Sequence, residues 1–332
     1  MNLSLESKSI LLLTCPLMTP QGKSDSAVLT IGEFGKLRDF LVSKELTFAS
    51  LLLSGAQSLI HEATTFVGIE KISSLISRGF QLSQAIELWS RQGLWVITVD
   101  QQIYPEKVRL KLDVKSPPYL IGIGNKENLS DLALGVVGSR NVSEEKLEVA
   151  QQIGRLASQS NIPIVSGGAR GVDQSAMFGS LENGGRAVGI LADGLSQFAL
   201  NANSREWISN DQLTLLSPFD PFSGFNVGNA MQRNKYIYGQ SEAVVVVESD
   251  FEKGGTWAGA TEQLSRFNFS SVFVPQDGDS KGLNELRTRG AKDLEISSLG
   301  VDLRKFLSDE KELREHEFAS RRVKKSEQLG FF

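Results

Sequence analysis

Apolar positions divide the chain into stretches of different period. Between residues 30 and 92 they recur at helical spacing: Phe34, Leu37, Phe40 and Leu41, then Ile69, Ile72, Leu75 and Ile76, then Leu82, Ala85, Ile86 and Trp89. Gly68 and Gly79 fall between these patterns and predict hairpin turns. The expectation is a small helical domain over residues 1–93, of the SAM or helix-hairpin-helix kind, with the Val67-Gly68-Ile69 turn read as packing. Upstream, Ser9–Met18 is apolar but broken by Thr14 and Pro16, which predicts a first strand or buried arm. It is shorter than the ~20 residues of a membrane span, and Glu6 stands where a targeting signal would be basic.

Residues 94–130 read as a connector, with a strand at Leu94–Val99 and extended or turn backbone forced by Tyr104-Pro105 and Pro117-Pro118. From Leu134 the pattern becomes short, wholly apolar runs: Leu134–Val137, Ile162–Val165, Ala187–Leu191, Thr214–Leu216, Ala243–Val247 and Ser271–Val274. Helix-length segments separate them at Ser143–Ser160, Asp173–Glu182, Trp207–Asp211, Gln232–Gly239 and Thr256–Phe267. Such alternation predicts an α/β fold over residues 131–298, with a doubly wound, mostly parallel, Rossmann-like sheet. Residues 299–332 form a charged tail of helical composition, read as a solvated helix with ion pairs.

Composition narrows the chemistry. The chain has 332 residues, 31 glycines and 9 prolines, which suits tight strand-to-helix turns. A single cysteine, Cys15, rules out a disulfide framework and reads as a buried, reduced thiol of a cytoplasmic protein. His61 and His316 are far apart, so no zinc-ligand spacing exists and no metal or cofactor is expected. A net charge of −4 argues against a polyanion coat over the whole surface; nucleic-acid affinity would need a local basic groove.

Doubly wound sheets bind ligands outside the carboxyl ends of their strands, so the exit loops carry the candidate chemistry. Gly138-Ser139-Arg140 leaves the first parallel strand, with Ser143 placed to cap the next helix. Helix-start amides and Ser139 can donate to a phosphate, and Arg140 can clamp it. Taken alone, the tripeptide reads as a structural turn. The second loop, Ser166-Gly167-Gly168-Ala169-Arg170-Gly171-Val172-Asp173, exposes successive amides and adds Arg170, with Asp173 placed to cap the helix or orient Arg170. Arg233-Asn234-Lys235 and Lys253-Gly254-Gly255-Thr256 supply further cations and amides near the last strands. Four clusters on one edge would make a continuous positive groove suited to a phosphodiester chain.

In this order, and with Gly184-Gly185, Gly194-Leu195 and Gly282-Leu283-Asn284-Glu285-Leu286, these motifs resemble the DprA/Smf family of DNA-processing proteins. Asp100–Pro105 and Ser116–Leu120 also resemble family segments ahead of the core, so the likeness spans roughly residues 65–298. The resemblance implies a Rossmann-like core that dimerises, binds and protects single-stranded DNA and hands it to a RecA-type recombinase, chiefly in natural transformation. It implies phosphate contacts at Arg140 and over Ser166–Asp173. Departures from the pattern are Met177 in place of a frequent histidine, Ser196, Ala199-Leu200 and Asn201 after Gly194-Leu195, and Lys235 in place of an arginine. Arg205 is placed to compensate in part. A divergent member serving phage defence fits the same residues.

The leading reading is therefore a non-catalytic single-strand binder, with Phe198, Phe219, Phe225 and Tyr236 as stacking candidates or, for most of them, core residues. The runner-up is a LOG-like nucleotide phosphoribohydrolase using Glu262, although no second carboxylate is evidently placed beside it. A small-nucleotide sensor using the same pocket is the third. The lack of Gly-x-Gly-x-x-Gly after a first strand argues against a dehydrogenase, and the lack of a Walker loop against an ATPase.

Overall fold

In a computed structural model that describes residues 1–17, 28–68, 70–192, 194–195, 202–221, 224 and 226–329, the chain packs as two compact units. Met1–Ile123 forms most of the first; Gly124–Ala192, Leu200–Leu215 and Asn226–Phe332 form the second. The connector residues up to Ile123 belong to the first unit.

The first unit holds helices α1 (Leu5–Thr14), α2 (Ile31–Ser43), α3 (Gln57–Val67), α4 (Ile72–Ile76) and α5 (Gly79–Arg91), then strand β1 (Trp95–Thr98), helix α6 (Glu106–Leu112) and strand β2 (Tyr119–Ile123). β1 and β2 pair antiparallel. The core gathers Ile10, Leu13, Phe34, Leu37, Leu51 and Leu75, with Phe34 stacked on Phe48 at 4.6 Å.

Ser9–Met18, expected as a strand or arm, belongs instead to α1 as far as Thr14, while Met18 lies outside the described residues. The Ser4 hydroxyl caps the helix start, and Ile10–Leu13 are buried on every side, which erases the amphipathic signature. At the other end the buried Arg78 guanidinium donates to the carbonyls of Leu12 and Cys15, a cation set against a helix C-terminus. Burial pushes the Cys15 thiol up to about 12. Gly68 does end α3, in left-handed geometry, but Gly79 starts α5 where a turn was expected. Ile69 of that turn lies outside the described residues.

The second unit carries strands β3 (Leu134–Gly138), β4 (Ile164–Ser166), β5 (Ala187–Ile190), β6 (Leu213–Ser217, as far as Leu215), β7 (Ala243–Glu248), β8 (Ser271–Pro275) and β9 (Lys292–Leu294) in the order β6-β5-β4-β3-β7-β8-β9. Parallel registers join β5 to β4, β4 to β3, β3 to β7, β7 to β8 and β8 to β9. Helices α7 (Glu144–Gln159), α8 (Val172–Leu181), α9 (Ala202–Ser209), α10 (Val227–Gln240), α11 (Gly254–Glu262) and α12 (Lys281–Thr288) connect them and cover both faces. The chain winds outward from β3 through β4 and β5, then returns to lay β7 on the other side of β3. This switch point opens the crevice in which such sheets hold ligands.

The tail is helical over α13 (Leu299–Leu329) with a break at Asp302 (φ −157°, ψ 71°). It buries Leu299 before the break and Leu303 and Leu307, one turn apart, after it, instead of standing wholly in solvent. Arg314 donates to Asn268 and Ser271, and Glu310 meets Lys292 at 3.0 Å, so the helix is tied to the β8–β9 side. Among the described residues no helix is long and apolar enough to cross a membrane.

Candidate nucleic-acid interface

At the switch point the Ser139 amide donates to the Glu248 carbonyl at 3.0 Å, and the β3–β7 register shifts between Val137 and Gly138. This irregularity turns the chain out of the sheet at Gly138 and delivers Arg140 to the surface. The Ser139 hydroxyl lies 3.4 Å from the Asp250 carboxylate. An acidic group thus stands beside the first loop.

The second loop leaves β4 and turns into α8 at Gly171, whose φ of +93° is open to glycine at little cost. A Cβ there would meet the Arg140 carbonyl at 2.5 Å and the Ser139 carbonyl at 2.8 Å, so the two loops are in backbone contact. Arg170 is exposed, and its guanidinium reaches the Asn141 side chain at 3.4 Å. Arg140, Arg170, Gly171, Gln174 and Phe178 line one open pocket of about 600 Å³ together with Ser143. Ser143 stands at the N-cap of α7 and Gly171 at that of α8. Two helix starts and two exposed guanidiniums therefore face the same space, where amides and positive charge favour an anion.

Other expected site residues sit elsewhere. Ser166 is fully buried and spends its hydroxyl on the Val136 carbonyl at 2.6 Å, stapling β4 to β3. Asp173 is 6% exposed and turns inward, accepting from the Gly167 amide at 3.1 Å and facing Arg233 instead of Arg170. Burial pushes its carboxyl above the usual range, against the pull of Arg233 and the amides of Gly138, Ala169 and Gly167. Arg233, 5% exposed, lies 3.9 Å from Asp173 and donates to the Ile190 carbonyl at 3.0 Å. A Cβ on Gly167 would overlap its guanidinium. Arg233, expected in the groove, supports the second loop from beneath. Gly168, with φ +66°, carries that loop outward on the solvent side of this brace.

The next two residues of α10 diverge from it. The Asn234 amide donates to the Gly255 carbonyl at 2.9 Å, tying α10 to the start of α11. Lys235 pairs with Glu262 at 3.5 Å and lies over the Phe267 ring. The cluster expected as a concentration of cations is thus a brace between two glycine-rich loops. Gly254 and Gly255 are exposed and Thr256 half-buried in the first turn of α11, a second amide-rich helix start. Glu262 lies about 12 Å away at the other end of that helix, flanked by Lys235 and by Arg266 at 3.6 Å.

Of the stacking candidates, Tyr236 is core, its hydroxyl held by Gln232 and pushed up by burial, and Phe219 is half-buried in the first unit. Phe198 and Phe225 lie outside the described residues, as do Ser196, Ala199, Leu200 and Asn201. Met177 is fully buried on α8, and Arg205 is exposed on α9. The sequence reading passed over Phe178. Its signal was the four-residue spacing from Gln174, which puts both on one helix face.

Over residues 95–299 the chain matches the family model described as DNA recombination-mediator protein A. It is 28% identical over 238 residues to the DNA processing protein DprA of Streptococcus pneumoniae, covering 70% of this chain and 83% of that one. It is 28% identical over 235 residues to protein Smf of Synechocystis, covering 68% of this chain and 58% of that one. Among solved structures, S. pneumoniae DprA superposes with a TM-score of 0.66 at 20% identity, over 90% of this chain and 97% of that one. Helicobacter pylori DprA, described for its single-stranded DNA binding mode, gives 0.52 at 22% identity, over 64% and 96%. At these identities the structural likenesses show the shared fold.

Proposed function

This chain belongs to the DNA recombination-mediator protein A family, and from that premise we propose that it binds single-stranded DNA at the exits of β3 and β4. The observation that carries the reading is the joint placement of Arg140 and Arg170, both exposed, on one pocket beside two helix starts. Successive phosphates are received there by guanidiniums and amides, so affinity is electrostatic and insensitive to base sequence. The start of α11 at Gly254 and Gly255, joined to α10 through Asn234, extends the amide-rich edge along which the strand runs.

The protein acts by holding the strand, without bond chemistry of its own. Glu262, the acid of the hydrolase reading, is engaged by two cations and remote from the Arg140 pocket loops in sequence and element. Protection of the strand, transfer to a RecA-type recombinase and homodimerisation complete the proposal, on the strength of the family. The deciding experiment is retardation of single-stranded oligonucleotides against duplex of equal length. Preference for the single strand supports the proposal; equal or absent binding overturns it.

A further inference from the structure

We propose that Phe178, backed by Trp207, forms a nucleobase platform on the wall of the Arg140–Arg170 pocket. The inference rests on the single-stranded DNA reading of that pocket and adds what the pocket does with the bases.

Helix α8 sorts its side chains sharply. Val172, Ala176 and Met177 are fully buried and Leu181 nearly so, whereas Gln174 and Phe178, one turn apart, face the pocket. Phe178 is only half-buried. Its ring centre lies 5.6 Å from that of Trp207 on α9, with the planes tilted by 36°. Trp207 is half-buried as well, so the pair keeps accessible aromatic surface. A half-exposed aromatic pair usually marks a hydrophobic remnant at a helix crossing. Here one ring lines a pocket that also presents two guanidiniums, so apolar and cationic surfaces are arranged as a nucleotide needs them, the π-face for its base and the charges for its phosphates. The volume of about 600 Å³ accommodates a base with its adjoining sugar-phosphates. Gln174 holds the Gly168 carbonyl at 3.1 Å, fixing the phosphate loop relative to the platform. Stacking of this kind accepts any base, since every base has a π-face.

The test compares an oligothymidylate with an abasic phosphodeoxyribose chain of equal length, by fluorescence anisotropy, on the full-length protein. Wild type should prefer the thymidylate on the order of tenfold. Phe178→Leu should erase that preference while leaving affinity for the abasic chain unchanged, and Phe178→Tyr should retain it. If Phe178→Leu loses its fold by circular dichroism, Trp207→Leu is read in its place, with a weakened preference expected. A preference that survives loss of the aromatic ring overturns the platform, as does a wild type that binds both chains equally; in either case DNA binding itself stands. Failure to bind either chain removes the DNA reading and the platform together.

Discussion

The Arg233 guanidinium lies 3.9 Å from the Asp173 carboxylate, and both side chains are more than nine-tenths buried. Asp173 in turn holds the Gly167 amide, and Arg233 the Ile190 carbonyl, so the pair binds the second loop, α8 and α10 to the end of β5. A buried pair gives little net stability against an apolar replacement, yet removal of one partner strands the other charge in a poor solvent.

Asp173→Ala should therefore cost about 3–5 kcal/mol in denaturant unfolding. Asp173→Ala combined with Arg233→Met should recover part of that loss, because no uncompensated charge remains. Additive losses in the double variant would refute the coupling.

Arg140→Ala and Arg170→Ala should leave the melting temperature unchanged, since both side chains are exposed. Each should weaken single-strand binding and make its logarithmic salt dependence shallower by about 0.7 for every phosphate no longer neutralised. Unchanged affinity and slope in both variants would separate these arginines from the phosphate chain.

Asp250 places a carboxylate 3.4 Å from the Ser139 hydroxyl, where under the proposed function it would repel a strand approaching the first loop. Asp250→Asn should tighten single-strand binding by roughly twofold to fivefold at low salt, with the gain fading as salt screens the charge. Looser binding would show that Asp250 positions Ser139 for its ligand instead.

Stability of the first unit should depend on pH through Glu33. Burial pushes its carboxyl up, but hydrogen bonds from Thr30 and Lys71 outweigh that effect and hold it below the usual range. A lowered folded value means that the stabilisation is present above the unfolded value of about 4.3 and disappears as pH falls through the folded one. Thermal melts should show Glu33→Gln less stable than wild type near neutrality, the two converging in acid. A gap independent of pH would assign the effect to poorer packing.

The sheet was legible in the sequence because its strands are buried on both faces and read as unbroken apolar runs; Ala243–Val247 admits no other interpretation. Two strands escaped notice for opposite reasons. Tyr119–Ile123 follows a Pro-Pro pair that reads as a connector, and Lys292–Leu294 is a short edge strand with two charged, exposed residues. Helix α1 was misread because burial all round removes the periodicity that separates helix from strand. Glycines and arginines picked out two loops that the structure brings together around one pocket. What they could not mark was direction, since consecutive Arg233, Asn234 and Lys235 serve Asp173, Gly255 and Glu262, and only the tertiary arrangement supplies those partners.

Backbone contact between Gly171 and the Arg140 carbonyl has a kinetic corollary. On the proposed binding surface the two loops already touch before a strand arrives, so the proposal places the entropy cost of capture mainly on the DNA. Association should then proceed in a single diffusive phase governed by charge, without a slower rearrangement of the protein behind it.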